Sequence, residues 1–446
     1  MSRVAVFGAG YEGLVTGACF AQLGHSVVIR DIVAEKVDAL RAGRVPIFEP
    51  GLDEILDRNR ERLRFTLDAG EALEEAEFVF VCVDTPATYA GDADLSRVWT
   101  VIEELCPLAG RPVLVMKSTV PVGTGEKVRA ALDARGLDNW GYASNPEFLA
   151  EGTAVRDFLE PDRIVIGAFE DGDAYAIEAL HKGIDAPVVK TDVASAEMIK
   201  LASNAFLPTR ISFINEIANV CELVGADVEA VARGVGLDSR IGTRYFRPGL
   251  GYGGSCFPKD VAFLKLLAGN SGYHFQLLNA VIEVNELQKR RVITKLQKYL
   301  GSLRGKTVAL LGLAFKPDTD DMRDAPSLVI ASRLLAEGAE VATWDPVADA
   351  RELIVGARQC ETVEEAVAGA DAAVIVTEWE QLRSLPSPEI RKLMRNPLII
   401  DGRNLLDPAE ARAAGFAYEG IGRPTSPLDA LPETAEPERT AALEEE

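Results

Sequence analysis

Histidine and cysteine are scarce in this chain. Its 446 residues include three histidines and six cysteines. The cysteines, at positions 19, 82, 106, 221, 256 and 360, form no CxxC pair. A disulfide framework and a zinc site are therefore both poorly supported, and we expect no bound metal.

Basic residues are also in deficit, with 47 Lys and Arg against 69 Asp and Glu and a formal net charge of -22. Such a surface repels nucleic acid and anionic membranes, so neither is an expected partner. No apolar run is long enough to span a bilayer, and the first residues lack the pattern of a signal peptide. We expect a reduced, cytoplasmic protein whose anionic ligands need a local basic pocket.

The length predicts two or three domains. The pattern of apolar runs predicts an α/β fold, with two Rossmann-like doubly wound parallel-sheet domains joined by a central helical domain that contains a long helix. We place the first α/β domain at 1–194, the helical domain at 195–300 and the second α/β domain at 301–424. The acid-rich residues 425–446 are expected to form a disordered tail.

Continuous apolar runs separated by helical stretches predict the strands of both sheets. They lie at 4–7, 26–29, 78–83, 112–116, 139–144 and 163–167 and, in the second domain, at 308–312, 340–343, 372–376 and 398–401. Helices are expected at 14–23, 195–224, 228–234, 275–299 and 327–337. Helix 275–299 serves as a subunit interface or packs inside its own chain, and the pattern leaves both open.

A glycine turn follows the first strand. Gly8, Gly10 and Gly13 form a GxGxxG pattern between a strand and a helix, and Asp31 ends the next strand. A helix N-terminus at such a turn binds a pyrophosphate, and the acid accepts from a ribose 2′-hydroxyl, which selects NAD over NADP. Two features weaken this prediction: Glu12 would repel the phosphates if it pointed inward, and Arg30 stands beside Asp31.

A second glycine-rich run, Gly251 to Asp260, surrounds Cys256. Three glycines before the thiol and a proline after it predict a constrained loop that lets the backbone approach a ligand. Lys259 is expected to lower the pKa of the thiol, and Asp260 offers a carboxylate for proton transfer. We interpret the run as an activated nucleophile.

Three further segments place polar side chains where strands of such a sheet end or helices begin. Thr119 follows a strand, although helix capping by Ser118 or Thr119 is the common role of such residues. Lys200 and Asn204, four apart on a predicted helix, suit an oxyanion, although an exposed helix face is the more common reason for such a pair. The carboxylates Glu147 and Glu151 are also four apart, which usually marks a solvated surface.

Basic residues concentrate around the cysteine loop and the second α/β domain. In so acidic a chain they indicate an anionic ligand such as a diphosphate, with scattered surface arginines as the alternative. They are Arg240, Arg244, Arg247, Lys259, Lys316, Arg323 and Arg403.

These motifs together resemble the UDP-glucose 6-dehydrogenase family of nucleotide-sugar dehydrogenases. The resemblance spans residues 1 to about 424 and rests on GAGYEGLV, STVPVG, NPEFLAEGTA, EMIKLASNAF, GYGGSCFPKD, GLAFKPDTDDMRDAPS and DGRN. It implies an NAD-binding first domain, a dimerising middle and a last domain that binds the UDP-sugar. It also implies oxidation of a sugar C6 alcohol to a carboxylate with two NAD⁺.

The resemblance also implies roles for individual residues. Cys256 would capture the C6 aldehyde and pass through a thiohemiacetal and a thioester. The other implied catalytic residues are Lys200, Asn204, Asp260, Thr119 and Glu151. Cofactor contacts are implied for Gly8, Gly10, Tyr11, Gly13, Asp31, Thr85, Thr119, Glu151 and Arg323. Substrate contacts are implied for Glu147, Phe148, Leu149, Lys200, Asn204, Arg240 (from a neighbouring subunit), Arg247, Gly253, Lys259, Phe315, Lys316 and Arg403.

The substrate and the partners follow from the same resemblance. UDP-glucose is the expected substrate and GDP-mannose the alternative, because the family's GDP-mannose enzymes usually carry leucine in place of Phe257. A non-catalytic NAD-binding scaffold is a remote alternative, which the intact set of catalytic residues disfavours. A homodimer or a higher oligomer is expected.

Overall fold

The computed structural model describes residues 1–89 and 91–424, so the predicted tail lies outside the described residues. The chain divides into two compact units. The first comprises Met1–Phe213, Tyr252–Glu286 and Ala314–Ala325, and the second comprises Ile214–Gly251, Leu287–Leu313 and the described residues from Pro326 to 424. Within the described residues, no helix is long and apolar enough to cross a membrane.

The first unit contains an eight-stranded sheet in the order β3-β2-β1-β4-β5-β6-β7-β8. Its strands are β1 (Arg3–Phe7), β2 (Ser26–Arg30), β3 (Leu63–Thr66), β4 (Phe78–Val81), β5 (Val113–Met116), β6 (Gly141–Ser144), β7 (Ile164–Ala168) and β8 (Val188–Thr191).

Both faces of this sheet are covered, as continuous apolar strands require. Val4 and Val6 of β1 belong to one buried cluster, and Ala5 and Phe7 belong to the other. The helices that accompany the sheet are α1 (Tyr11–Gln22), α2 (Ala34–Arg41), α3 (Leu52–Arg58), α4 (Ala69–Leu73), α5 (Ser96–Glu104), α6 (Thr124–Ala134), α7 (Ala154–Leu159) and α8 (Asp171–Leu180), with a 3₁₀ turn at Arg60–Arg62.

A 32-residue helix, α9 (Val193–Val224), follows the first sheet and contains Pro208. It begins in the first unit and ends in the second. The helices after it are α10 (Val228–Gly236), α11 (Phe257–Asn270), α12 (Gln276–Gln288) and α13 (Arg291–Leu300).

The second unit contains a six-stranded, all-parallel sheet in the order β11-β10-β9-β12-β13-β14. Its strands are β9 (Thr307–Leu311), β10 (Glu340–Trp344), β11 (Arg358–Gln359), β12 (Ala372–Ile375), β13 (Leu398–Asp401) and β14 (Ala417–Gly420). Its helices are α14 (Pro326–Ala336), α15 (Val363–Val367), α16 (Pro388–Leu393) and α17 (Pro408–Ala413), with a 3₁₀ turn at Glu380–Ser384.

The predicted fold class is confirmed. Strands β3, β8, β11 and β14 were not predicted, and three further local differences follow. Strand β7 pairs with β6 in the antiparallel sense, so the first sheet is mixed at one edge. The predicted helix 275–299 is two helices, α12 and α13, with a turn at Lys289 and Arg290. Helix α11, directly after Cys256, was not predicted, because Pro258 followed a glycine-rich run and was taken as part of a loop.

Candidate active site

The turn after β1 has the close packing that its glycines require. Gly8 has φ +109, and a Cβ added there would lie 2.4 Å from the Cys82 carbonyl oxygen. A Cβ on Gly13 would lie 1.9 Å from the Gly8 oxygen, so this turn tolerates only glycine at both positions. Gly10 caps α1, and the nearest atom to an added Cβ there is 3.8 Å away. The helix N-terminus is therefore open on the side where a pyrophosphate would approach.

Asp31 is held in place at the end of β2. Its Oδ2 accepts from the Ala9 N–H at 2.7 Å, and its Oδ1 accepts from the Val33 N–H at 2.9 Å. Each carboxylate oxygen has two lone pairs, so Asp31 keeps capacity for ribose hydroxyls. Arg30 is committed elsewhere: its Nη2 lies 2.5 Å from Glu104 Oε1, and its guanidinium lies over the Phe7 ring. Arg30 is thus not available to a 2′-phosphate.

Glu12 lies in the first turn of α1, and its Oε1 is buried with no hydrogen-bond partner among the described residues. Burial, and then repulsion by Glu147, raise the pKa of Glu12 to about 8. At neutral pH the carboxyl is protonated and carries no charge that would repel a pyrophosphate. The turn therefore fits NAD despite the acid within it.

Cys256 is the N-cap residue of α11, with Pro258 in the first helical turn. Gly253 and Gly254, just before it, allow close backbone packing: a Cβ on Gly253 would lie 2.4 Å from the Asp324 oxygen, and one on Gly254 would lie 2.9 Å from the Phe315 ring. The thiol is thus fixed at a helix N-terminus, where the helix dipole favours negative charge.

Lys259 lowers the pKa of the thiol, as expected, but it does not make Cys256 a thiolate in the resting protein. Burial, followed by repulsion from Glu147, raises the pKa of Cys256 to about 11. Lys200 and Lys259 both lower the pKa without offsetting these effects. The side chain is therefore a thiol at neutral pH, and its use as a nucleophile requires a base.

Lys200 and Glu147 form a buried ion pair. The Lys200 ammonium donates to Glu147 Oε1 at 2.5 Å and to the Glu147 carbonyl oxygen at 2.8 Å. Burial lowers the pKa of Lys200, but attraction by Glu147 and Asp260 outweighs it, so the net shift is upward. Lys200 is a fixed cation here, suited to stabilising an oxyanion rather than to accepting a proton. The exposed-face alternative for Lys200 is wrong, because the residue is 3% exposed.

Asn204 lies one turn further along α9 and is buried against Asp260 of α11. Asn204 Nδ2 donates to Asp260 Oδ2 at 2.7 Å, and Lys259 Nζ lies 2.5 Å from Asp260 Oδ1. Asp260 has no exposed surface. The amide keeps a second N–H for a ligand, so the two α9 residues offer donors to one developing negative charge.

Thr119 lies in the segment after β5, at the carboxyl edge of the first sheet. The Thr119 carbonyl oxygen accepts from the Thr85 hydroxyl at 2.7 Å, and Thr119 is 7% exposed. The capping alternative is not observed, since the N-cap of α6 is Gly123. Glu197 of α9 instead accepts from the N–H groups of Gly123 at 2.7 Å and Gly125 at 2.8 Å. This carboxylate fixes the segment that carries Thr119 to α9.

Glu151 is bound by the segment Ala314–Ala325. Thr319 Oγ1 donates to Glu151 Oε2 at 2.8 Å, Arg323 Nη2 lies 3.6 Å from Oε1, and the Lys316 ammonium donates to the Glu151 carbonyl oxygen. Burial, and then repulsion by Asp321, raise the pKa of Glu151 to about 7. This carboxyl can exchange a proton near neutral pH.

The remaining expected ligand residues fall into two groups. Phe148 lies in the first unit, with the Arg163 guanidinium 3.6 Å from its ring centroid. Arg240, Arg247 and Arg403 lie in the second unit. Arg240 pairs with Asp238 at 2.6 Å, and Arg403 donates to the carbonyl oxygens of Val376 at 2.7 Å and Gly251 at 3.1 Å. Among the described residues, no group of acids, histidines and cysteines could hold a metal ion.

Sequence reasoning missed several residues of the site. Lys117 is 4% exposed and donates to Asn145 Oδ1 at 3.3 Å, beside the segment of Thr119. Glu197, Ser255 and Thr319 were also missed. The sequence offered one signal for Lys117. The predicted strand 112–116 ends directly before it, and a lysine that follows a buried strand needs a polar partner if it is itself buried.

Comparisons with known proteins identify the family of the chain. Models of the UDP-glucose/GDP-mannose dehydrogenase family match as NAD binding domain over residues 2–185, central domain over 194–287 and UDP binding domain over 309–408. The chain is 45% identical over 441 residues to UDP-glucose 6-dehydrogenase TuaD of Bacillus subtilis, with 96% of each chain covered. It is 46% identical to the UDP-glucose 6-dehydrogenase of Pseudomonas aeruginosa, with 95% of this chain and 98% of the relative covered.

A solved structure gives the same result for the fold. The UDP-glucose dehydrogenase of Pyrobaculum islandicum superposes with a TM-score of 0.89 at 39% identity, covering 95% of this chain and 98% of that one. The glycine turn described above lies inside the matched NAD-binding domain. The chain belongs to the UDP-glucose/GDP-mannose dehydrogenase family, and its cofactor is NAD.

Proposed function

We propose that this protein is an NAD-dependent UDP-glucose 6-dehydrogenase that oxidises the C6 hydroxyl of UDP-glucose to the carboxylate of UDP-glucuronate. The observation that carries the proposal is the grouping, in one unit, of a thiol at a helix N-terminus with a buried ammonium, a buried amide and an NAD-type turn. The names of the relatives and the UDP binding domain support the choice of sugar and base.

The cofactor residues are those whose positions fit a dinucleotide. Gly8, Gly10, Tyr11 and Gly13 would hold the pyrophosphate at the start of α1, and Asp31 the ribose. Thr85, Thr119, Glu151 and Arg323 complete the proposed set. When bound, NAD accepts a hydride in each of two oxidations.

Lys200 and Asn204 act on the sugar oxygen. Loss of the hydroxyl proton and of a hydride from C6 gives an aldehyde, and negative charge develops on O6 as the alcohol is oxidised. The ammonium and the free amide N–H donate to that oxygen, and both are already fixed by Glu147 and Asp260. No reorganisation is then needed when the charge appears.

Cys256 acts on the aldehyde. Its sulfur bonds to C6, the carbonyl π electrons move to O6, and the thiol proton passes to a neighbouring carboxylate, which gives a thiohemiacetal with a negative charge on O6. Loss of a second hydride from C6 restores the C=O bond as a thioester. Water then adds to C6 and the C–S bond breaks, which frees the carboxylate and returns the thiol. Asp260, Thr119 and Glu151 are the groups proposed to position this water and to move its protons.

The substrate residues carry over from the family likeness. We propose contacts with the sugar-nucleotide by Glu147, Phe148, Leu149, Gly253, Lys259, Phe315 and Lys316 in the first unit and by Arg240, Arg247 and Arg403 in the second. The basic side chains among them suit a diphosphate. We also retain the proposed division into a domain at 1–194, a helical domain at 195–300 and a UDP-sugar domain at 301–424.

A substrate panel tests the proposal. Purified protein with NAD⁺ is mixed separately with UDP-glucose, GDP-mannose and UDP-N-acetylmannosamine, and NADH formation is followed by absorbance. We expect turnover with UDP-glucose and two NADH per sugar. Absence of turnover on saturating UDP-glucose would contradict the choice of substrate, and turnover on GDP-mannose alone would replace it with the alternative.

Two cysteine-to-serine variants, made separately, test the covalent route. Cys256→Ser should lose steady-state four-electron oxidation, because a serine hydroxyl cannot form the thioester. Cys106→Ser is the matched control, since Cys106 lies outside the site and is half-buried. Full oxidation to the acid by the Cys256 variant would rule the thioester out.

Assembly and location are proposals of the same kind. Phe206, Phe213 and Val220 recur every seventh residue on α9 and are 59%, 54% and 53% exposed, which supports a homodimer that covers this stripe. A higher oligomer is the alternative, and light scattering of the purified protein would distinguish the two. We place the enzyme in the cytoplasm, because a thiol nucleophile must stay reduced.

A further inference from the structure

The thiol of Cys256 has a hydrogen-bonding neighbour that the mechanism above does not use. Ser255 Oγ lies 3.5 Å from Cys256 Sγ. The same hydroxyl lies 3.4 Å from Glu151 Oε1. The three side chains thus form a continuous row from the sulfur to a carboxylate, all within the first unit.

The other acid beside the thiol is already engaged. Asp260 has Lys259 on one oxygen at 2.5 Å and Asn204 on the other at 2.7 Å, and it has no exposed surface. Both of its carboxylate oxygens therefore already have a close partner. Glu151 Oε1, by contrast, has weak neighbours only, with Ser255 at 3.4 Å and Arg323 at 3.6 Å.

Charged groups face both ends of the row. Around Cys256 they are Glu147, Lys200, Lys259 and Asp260. Around Glu151 they are Asp321, Arg323 and Lys316, with the Thr319 hydroxyl on the second oxygen. The balance at Glu151 favours a carboxyl that is half-ionised near neutral pH, since burial raises its pKa to about 7.

We propose that Ser255 relays the Cys256 proton to Glu151 as the sulfur attacks its electrophile. As the S–C bond forms, the S–H bond breaks and its proton passes to Ser255 Oγ, while the Ser255 hydroxyl proton passes to Glu151 Oε1. Serine ends unchanged, Glu151 ends as a neutral carboxylic acid, and no electrons are exchanged. When the C–S bond later breaks, the reverse transfers return the proton to sulfur.

The long contacts are compatible with this role. Hydrogen bonds of catalytic groups are often long before a ligand is bound and tighten in the complex. Position also suits the role, because Ser255 immediately precedes Cys256, the N-cap residue of α11, so that one short segment fixes both groups. The inference rests on the proposed function for its biological electrophile, but the relay itself is testable on any electrophile.

The test is the alkylation rate of Cys256 in the full-length protein without substrate. Iodoacetamide is the probe, and mass spectrometry of the Cys256 peptide separates this site from the other cysteines. In the unmodified chain the rate should rise through a pH near 7, where Glu151 ionises. Ser255→Ala and Glu151→Gln should both lose that rise, with the rate at about pH 8 falling roughly tenfold.

Two further variants keep the result interpretable. Ser255→Thr retains a hydroxyl and should keep the pH profile. Ser212→Ala removes a buried serine whose hydroxyl donates to the Val281 carbonyl oxygen at 3.1 Å, outside the site, and should match the unmodified chain. An unchanged profile in Ser255→Ala, or an equal loss in Ser255→Thr, would overturn the relay.

The substrate panel and the alkylation experiment test different claims, so failure of one can be told from failure of the other. If no sugar nucleotide reduces NAD⁺ but alkylation still depends on Ser255 and Glu151, the relay stands and the proposed function falls. If UDP-glucose is oxidised and alkylation ignores both residues, the proposed function stands and the relay falls.

Discussion

The two sheets begin in the same way and then diverge. Gly8 after β1 donates to the Arg30 carbonyl oxygen at 2.8 Å, and Gly312 after β9 donates to the Trp344 carbonyl oxygen at 2.8 Å. Both glycines have positive φ, +109 and +86. In each sheet an aspartate directly after the neighbouring strand accepts from the backbone N–H of the residue after this glycine. Asp31, after β2, accepts from Ala9, and Asp345, after β10, accepts from Leu313, both at 2.7 Å.

The divergence explains why the first sheet is the one that fits NAD. After Gly8 the chain enters α1 within three residues, whereas after Gly312 no helix begins until Pro326. Asp345 also accepts from the Trp379 indole N–H at 3.0 Å and from the N–H groups of Val347 at 3.0 Å and Ala348 at 2.8 Å. A shared turn therefore becomes a dinucleotide site only where a helix N-terminus follows and the acid keeps free lone pairs.

Substitution of the corresponding aspartates of the two sheets, Asp31 and Asp345, should give the largest difference. Asp31→Asn should raise the KM for NAD roughly 10- to 100-fold, because a hydrogen bond to a charged acceptor contributes about 1.5–3 kcal/mol. Asp345→Asn should instead lower the free energy of unfolding by about 1–3 kcal/mol through its buried donors and leave that KM unchanged. Steady-state kinetics and denaturant unfolding distinguish the two. Equal KM changes in both variants would break the comparison.

Glu12 gives a pH-dependent effect of intermediate size. Because its pKa rises from 4.5 to about 8 on folding, the folded protein keeps a proton that the unfolded chain has lost. The contribution of Glu12 to stability is therefore fully present below about pH 4.5 and is lost as the pH rises through about 8. Glu12→Gln should remove this dependence and exceed the unmodified chain by about 1–3 kcal/mol at pH 8, measured by urea unfolding.

A buried acid of the second sheet provides the contrast to Glu12. Asp401 accepts from the N–H groups of Arg403 at 3.1 Å and Leu406 at 2.8 Å and from the Tyr418 hydroxyl at 3.0 Å. Asp401→Asn should therefore destabilise where Glu12→Gln stabilises. The same sign for both variants at pH 8 would contradict the assignment of Glu12 as a buried acid whose Oε1 has no hydrogen-bond partner among the described residues.

Arg30 gives the smallest expected effect. Glu104→Ala removes the partner that holds the Arg30 guanidinium and should raise kcat/KM with NADP several-fold relative to NAD, since a freed guanidinium can reach a 2′-phosphate. The double variant Arg30→Ala and Glu104→Ala is the control and should lose the gain. An equal gain in the double variant would show that Arg30 is not the phosphate partner.

Strand positions inside both sheets were predictable because buried strands are continuous apolar runs, whereas the edge strands β3, β8, β11 and β14 were not predicted. Strand β13 (Leu398–Asp401) was predicted to the residue. Strand direction was not predictable in this way: β7 is as apolar as its neighbours, and nothing in a fully buried run records whether it pairs parallel or antiparallel. The turn between α12 and α13 was missed because neither glycine nor proline marks it.

The candidate site was predictable as a set of residues and less so as an electrostatic system. Spacing brought Lys200 and Asn204 to one helix face, and the glycine runs marked both loops. The pKa of Cys256 was not predictable, because it depends on burial and on Glu147, which lies far away in sequence. The partners of Glu151 likewise come from residues 316–323, at a separation that local pattern does not report.

Helix α9 has a consequence that concerns alignment rather than chemistry. Glu197, Lys200 and Asn204 are spaced at i, i+3 and i+7, so they share one stripe of the helix. The first fastens the segment of Thr119, and the other two face Glu147 and Asp260. The helix thereby sets the distance between the proposed cofactor side and the proposed oxyanion donors when the chain folds. The relative positions of these side chains are therefore set by the backbone of the helix when the chain folds, and they need not be set again in each turnover.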